Sequence, residues 1–207
     1  MRFTIWSTIL LITTYSFGQN VTDAYNALSN VNSIQDVQKL KESHPEWTVS
    51  IEKNAEIGMT YDSILVNMDL SDTTTKRMPN GQKRLYKVIE KTDEELCYVQ
   101  YIYIDGRNRP KEKVKSLQKM IISQYRAGKS FTSLNEKFSE DANPDGILNW
   151  FYKGMMVNEF DTAVRGKPSN SVFMIDIPAY HWHYVVLKKD EDKMAEVTTS
   201  VSILITE

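Results

Sequence analysis

Residues 139–160 read SEDANPDGILNWFYKGMMVNEF, a polar, turn-forming run that gives way to bulky apolar side chains. Leu148, Trp150, Phe151, Met155, Met156 and Phe160 crowd the stretch from 148 to 160, a segment too broken to be one helix. Side chains of these types do one kind of chemistry, which is to take an apolar group out of water. Pattern alone leaves two roles open, a buried core or a pocket that an apolar ligand enters. Read as isolated residues, Asp141 is a loop or capping carboxylate, His183 a structural histidine, and Tyr101 core or pocket floor.

Other chemistries find no support. Cys97 is the single cysteine, so no intrachain disulfide can form, and one Cys with three His at unrelated spacings makes no metal motif. Neither a phosphate-cradling glycine loop nor a nucleophile elbow is present. The formal net charge of −2 exerts no strong pull toward nucleic acid or a membrane surface. Neither cofactor nor nucleic-acid partner is expected.

The elements that must carry these residues can be read from pattern. Residues 20–45 look helical, with Ser33 and Asp36 as a capped start, Ile34, Val37 and Leu40 as a narrow stripe, and Pro45 as the stop. WTVSI (47–51) alternates like a strand, and SDTTTKRMPNG (71–81) reads as a polar loop. RLYKVIEK (84–91) and LCYVQYIYI (96–104) flank TDEE and predict a hairpin. Pro110 opens a helix with Val114, Leu117, Ile121, Ile122 and Tyr125 on one face, closed by Gly128. Its Lys111, Lys113, Lys115 and Lys119 make a solvated basic face. Phe131, Leu134 and Phe138 mark a second helix, and Val157, Phe160 and Val164 a third that ends at Gly166. SNSVFMIDI (169–177) and WHYVVLKK (182–189) close the domain as strands, and VSILI near the end adds another. The order predicts an α+β domain with a small antiparallel sheet and about three helices, preceded by a small helical or mixed region.

Arg2 followed by FTIWSTILLITTYSF, with Ser16 and Gly18 before Gln19, has the form of a secretory signal peptide over residues 1–18. Its Ser and Thr residues make it a poor membrane span, so no stable membrane insertion is expected. The remaining divisions are an N-terminal region of unknown role at 19–95, a domain at 96–190 and a tail at 191–207.

From FTSLNEKF through SEDANPDGILNWFYKGMM to NEFDTAVRGKPSNSVF and WHYVVLKK, the chain resembles the rotamase domain of parvulin-type (PpiC-like) peptidyl-prolyl cis-trans isomerases. The resemblance is carried by Phe131 and Leu134, Ser139 and Asp141, Asp145-Gly146, Leu148 with Phe151, Gly154 with Met156, Phe160, Gly166 with Ser169, and His183. It is nearest to an exported envelope subgroup. It implies a substrate socket of Leu148, Met156 and Phe160, with Phe151 supporting its wall. It also implies a polar set of Asp141, His183 and Tyr101, the last standing where active relatives carry a first histidine. The implied activity is prolyl isomerisation of proline-containing segments in unfolded or exported proteins of the periplasm. The alternative is a catalytically weak or inactive peptide-binding module or chaperone.

Overall fold

The computed structural model describes residues 21–58 and 60–205. The signal peptide expected over residues 1–18 lies outside the described residues. Among the described residues five α-helices run as α1 (Val21–Ser29), α2 (Ile34–Ser43), α3 (Lys111–Arg126), α4 (Phe131–Phe138) and α5 (Asn158–Val164). Seven strands are β1 (Val49–Ala55), β2 (Thr73–Arg77), β3 (Lys83–Asp105), β4 (Ile147–Tyr152), β5 (Val172–Ile177), β6 (Trp182–Lys188) and β7 (Lys193–Ile205). All seven strands join one antiparallel sheet, so the architecture is α+β as the sequence implies.

The spine of that sheet is β3, a single strand of 23 residues. The hairpin predicted over 84–104 is therefore absent. TDEE holds no Gly, Pro or Asn to turn the chain, and its residues stay in the ladder, Thr92 opposite Val197 and Glu95 opposite Met194. β7 pairs with β3 from Lys83 to Leu96, and β6 pairs with it from Val99 to Asp105, both antiparallel. The two run in the same direction along one partner and are joined by residues 189–192. The boundary drawn at 95/96 falls inside β3, which passes through it unbroken.

β1 borders β7, β5 borders β6, β2 pairs with the start of β3 at Lys83–Lys87, and β4 pairs with its middle at Leu96–Gln100. β2 lies in what read as a polar loop, because the three threonines of TTTKR suit an edge strand. β4 was not foreseen, since ILNWFY has no clean alternation to mark it. The tail forms much more than VSILI, with β7 reaching 13 residues.

The helix expected over 20–45 is two helices. Asn30, Asn32 and Ser33 prefer caps to helix interior, and the Ser33 hydroxyl accepts from the Asp36 N–H at 3.2 Å to start α2. α1 and α2 cover the β1/β7 end of the sheet through Leu28, Val37 and Leu40. At the β6 end, α3 and α4 pack Val114, Ile121, Phe131 and Leu134 on one face, against Ile102, Ile104, Val185 and Leu187. The other face of that end carries α5, with Phe160 and Val164 against Cys97, Val99, Tyr101 and Val186. No helix among the described residues is long and apolar enough to cross a membrane.

Candidate functional site

Strand alternation decides which side chains meet. Tyr103 lies opposite Tyr184 and Tyr101 opposite Val186, so these four share the α5 face, while Ile102, Ile104, Val185 and His183 take the other. Tyr101 is further fixed through its backbone. Its N–H donates to Gly146 O at 2.9 Å, and its carbonyl accepts from the buried Asn135 amide of α4 at 2.8 Å. Gly146 has φ of +67°, and a β-carbon there would collide with the Tyr101 carbonyl and the Asn135 amide. Only glycine meets both demands.

The apolar wall comes from three further elements. β4 presents Leu148 opposite Val99, and α5 presents Phe160. Between them, residues 153–157 carry Met155 and Met156. Gly154, at φ +92°, donates its N–H to Asp161 Oδ2 at 2.7 Å. Asp161 is buried and takes Arg165 at 2.7–2.8 Å on its other oxygen, so α5 holds the methionine loop. α5 is anchored in turn by Lys188, fully buried on β6, whose ammonium donates to Val164 O at 3.2 Å and to Asp192. The same ammonium lies 2.7 Å from Cys97 Sγ. Burial pushes that thiol up to about 11, only partly opposed by Lys188, so it stays protonated.

A cleft of about 250 Å³ results, lined by Tyr101, Asp141, Leu148, Met155, Met156, Val157, Phe160, Trp182 and Tyr184. Its floor is three rings in edge-to-face contact, with Phe160–Tyr184 centroids 5.1 Å apart, Tyr101–Tyr184 5.8 Å and Tyr101–Phe160 6.4 Å. At the mouth, exposed Asp141 accepts from the Tyr101 hydroxyl and from the Ala142 N–H. Burial raises the Tyr101 phenol, and the hydrogen bond to Asp141 and its charge raise it further. Burial pushes Tyr184 up to about 12, with Tyr103 and Asp141 adding to it. Both phenols remain neutral donors well above neutral pH.

Five of the seven residues singled out from sequence meet here: Tyr101, Asp141, Leu148, Met156 and Phe160. Phe151 does not line the cleft. It is fully buried behind the wall, opposite Cys97 in the ladder. His183 is on the wrong face. Its Nδ1 lies 2.6 Å from Asp176 Oδ1, and Gln118 of α3 donates to the same oxygen at 3.0 Å. The physical reason is the strand period, since a displacement of one residue moves a side chain through the sheet. The neighbour that does enter the cleft is Tyr184, which sequence reasoning missed together with Trp182 and Val157, while Met155 of the apolar cluster also lines it. The available signal was alternation in WHYVV, which puts Trp182 and Tyr184 on one face and His183 with Val185 on the other.

Residues 83–191, a little over half of the chain, match the family model described as the PPIC-type PPIASE domain. The chain belongs to the PpiC-type peptidyl-prolyl isomerase family. Two curated relatives are named Chaperone SurA, both from Pseudomonas fluorescens. The chain is 27% identical to that of strain Pf0-1 and 26% identical to that of strain Pf-5, each over 140 residues. Each alignment takes in 63% of this chain and 33% of the relative, so the chain spans about a third of their length. Among solved structures it is similar to NmPin, the parvulin of Nitrosopumilus maritimus. That likeness has 20% identity and a TM-score of 0.38, over 47% of this chain and 98% of that one.

Proposed function

We propose that this PpiC-type protein is a parvulin-type peptidyl-prolyl cis-trans isomerase whose proline seat is the Leu148, Met156, Phe160 cleft. The carrying observation is the convergence of those three residues on one cleft with Asp141 bonded to Tyr101 at its mouth. Its volume of about 250 Å³ lies below the ~300–1,000 Å³ usual for a drug-sized ligand and suits a single ring.

Rotation about the prolyl bond faces a barrier of ~18–20 kcal/mol, because the amide's partial double bond is lost on the way. The uncatalysed reaction takes on the order of tens of seconds. No nucleophile is required. The cleft holds the ring while the preceding carbonyl swings, and its apolar wall removes water that favours the planar amide. In the twisted state the imide nitrogen regains its lone pair, and fixed polar groups stabilise that state. We assign this polar role to Tyr101 and Asp141, with Tyr184 completing the floor. His183 acts at a distance through Asp176, Gln118 and the Tyr184 backbone carbonyl, as a positioning residue.

The reading extends to clients and place. Residues 96–190 form the rotamase unit, and residues 1–18 direct export to the periplasm. The substrates are proline-containing segments of unfolded or exported proteins. The apolar leader and the similarity to two chaperones support this.

One feature favours a second reading, a peptide-binding module with little turnover. The cleft is lined by phenols and holds no imidazole. Two measurements on the same proline-containing peptides separate the readings: cis-to-trans relaxation with catalytic amounts of protein, and a binding titration. Acceleration supports the isomerase. Binding without acceleration leaves only the module.

A further inference from the structure

Among the described residues β5 is an edge of the sheet, bonded only to β6. Lys188 N donates to Ser171 O at 2.9 Å, and antiparallel bonds recur every second residue. Phe173, Ile175 and Ile177 therefore bond to β6. Val172, Met174 and Asp176 turn their N–H and C=O groups outward. The opposite edge, β1, carries Glu52 and Lys53 at its centre, the kind of charge that discourages a foreign strand. β5 reads VFMIDI and has no charge before Asp176, whose carboxylate is occupied by His183 and Gln118.

Beside this edge lies a groove of about 470 Å³ between β5 and α3, with Ile122, Val172, Phe173 and Met174 as apolar lining. Met174 is 39% exposed. Lys119, Ser123 and Arg126 face the groove from successive turns of α3. Neither Lys119 nor Arg126 has an ion-pair partner among the described residues. The groove is on the α3 side of the sheet, where the Met174 side chain points. The proline cleft is on the α5 side.

We propose that the β5 edge and this groove bind an extended segment of alternating apolar and acidic residues, without need of a proline. The segment adds as a strand beside Val172, Met174 and Asp176, the backbone supplying affinity and alternate side chains supplying selection. Apolar side chains fill the groove, and carboxylates meet Lys119 and Arg126. A client could then be held at the edge while a proline elsewhere in it turns over in the cleft. The site stands whether or not the cleft is catalytic.

The test uses the mature chain and a labelled, proline-free peptide of alternating Val and Glu, with an alternating Val and Lys peptide as control. Fluorescence anisotropy is expected to show salt-sensitive binding of the acidic peptide, weaker for the basic one by about tenfold. Met174→Pro removes one outward N–H that the sheet does not use, and is expected to abolish binding with the fold intact. The double variant Lys119→Glu/Arg126→Glu should weaken it by about tenfold, and neither variant should alter cis-to-trans relaxation of proline peptides. Equal binding of both peptides, binding that survives both variants, or displacement by a proline peptide would each overturn the proposal. So would self-association of the chain lost in Met174→Pro, which would give the edge to a second copy.

Discussion

The Tyr101 hydroxyl donates to the Asp141 carboxylate across 40 residues of sequence, tying the C-terminal part of the longest strand to the mouth of the cleft. Asp141 is exposed, so the bond holds the carboxylate in place without burying it. Removing the hydroxyl leaves an anion that water can solvate. For Tyr101→Phe we expect a stability change of less than about 1 kcal/mol. The rate of prolyl isomerisation should fall by about tenfold, as expected when one polar contact worth ~1.5 kcal/mol is lost from the twisted state. Thermal unfolding and peptide relaxation on the same sample check both halves.

Gly146 supports that bond from behind. Gly146→Ala pushes a methyl into the Tyr101 carbonyl and the Asn135 amide, in a left-handed backbone that costs ~1–2 kcal/mol for an L-residue. We expect at least ~2 kcal/mol of destabilisation, read from the denaturant midpoint, and a weaker cleft in whatever remains folded.

Met156 and Phe160 separate binding from folding. Met156 is half-buried at the cleft surface, so Met156→Ala should spare stability and reduce proline-peptide affinity by ~10–200-fold, the range for a lost apolar contact. Phe160 is 4% exposed and touches both floor tyrosines, so Phe160→Ala should cost ~3–5 kcal/mol of stability. Calorimetric titration beside thermal melts distinguishes the two.

Buried phenols give the protein its alkaline limit. The folded-state pKa of Tyr184 is raised by burial to about 12, above the ~10 of an exposed phenol. Its contribution to stability is complete below pH ~10 and is lost as pH climbs toward 12, because the unfolded state releases its proton first. Tyr184→Phe should flatten that loss in denaturant midpoints measured against pH.

The Lys188–Asp192 pair fixes the carboxyl end of α5, and through it Phe160 and the methionine loop. Asp192→Ala leaves a fully buried ammonium with only Val164 O and the Cys97 thiol. Loss of one partner of such a pair costs ~3–5 kcal/mol, which equilibrium unfolding would show.

Much of the site could be read from sequence because it is local. Asp141, Leu148, Met156 and Phe160 lie within one short stretch, and their spacing carries the family pattern. Errors arose where long-range pairing decides. The β3 spine looks like two strands around a turn, because TDEE is polar, and only its pairing with β7 keeps that segment in the ladder. His183 and Tyr184 are adjacent, and nothing local says which of them faces α5. That choice is made by register with Ile104 and Tyr103.

The decisive experiment is exchange NMR on a short peptide with one prolyl bond, in the presence of wild-type protein, Met156→Ala or Asp141→Ala. If the Leu148, Met156, Phe160 cleft is the catalytic seat, the wild type accelerates cis–trans exchange. Met156→Ala and Asp141→Ala should each slow it markedly while remaining folded. Acceleration that persists undiminished in both variants would contradict that assignment, and no acceleration by the wild type would contradict isomerase activity itself.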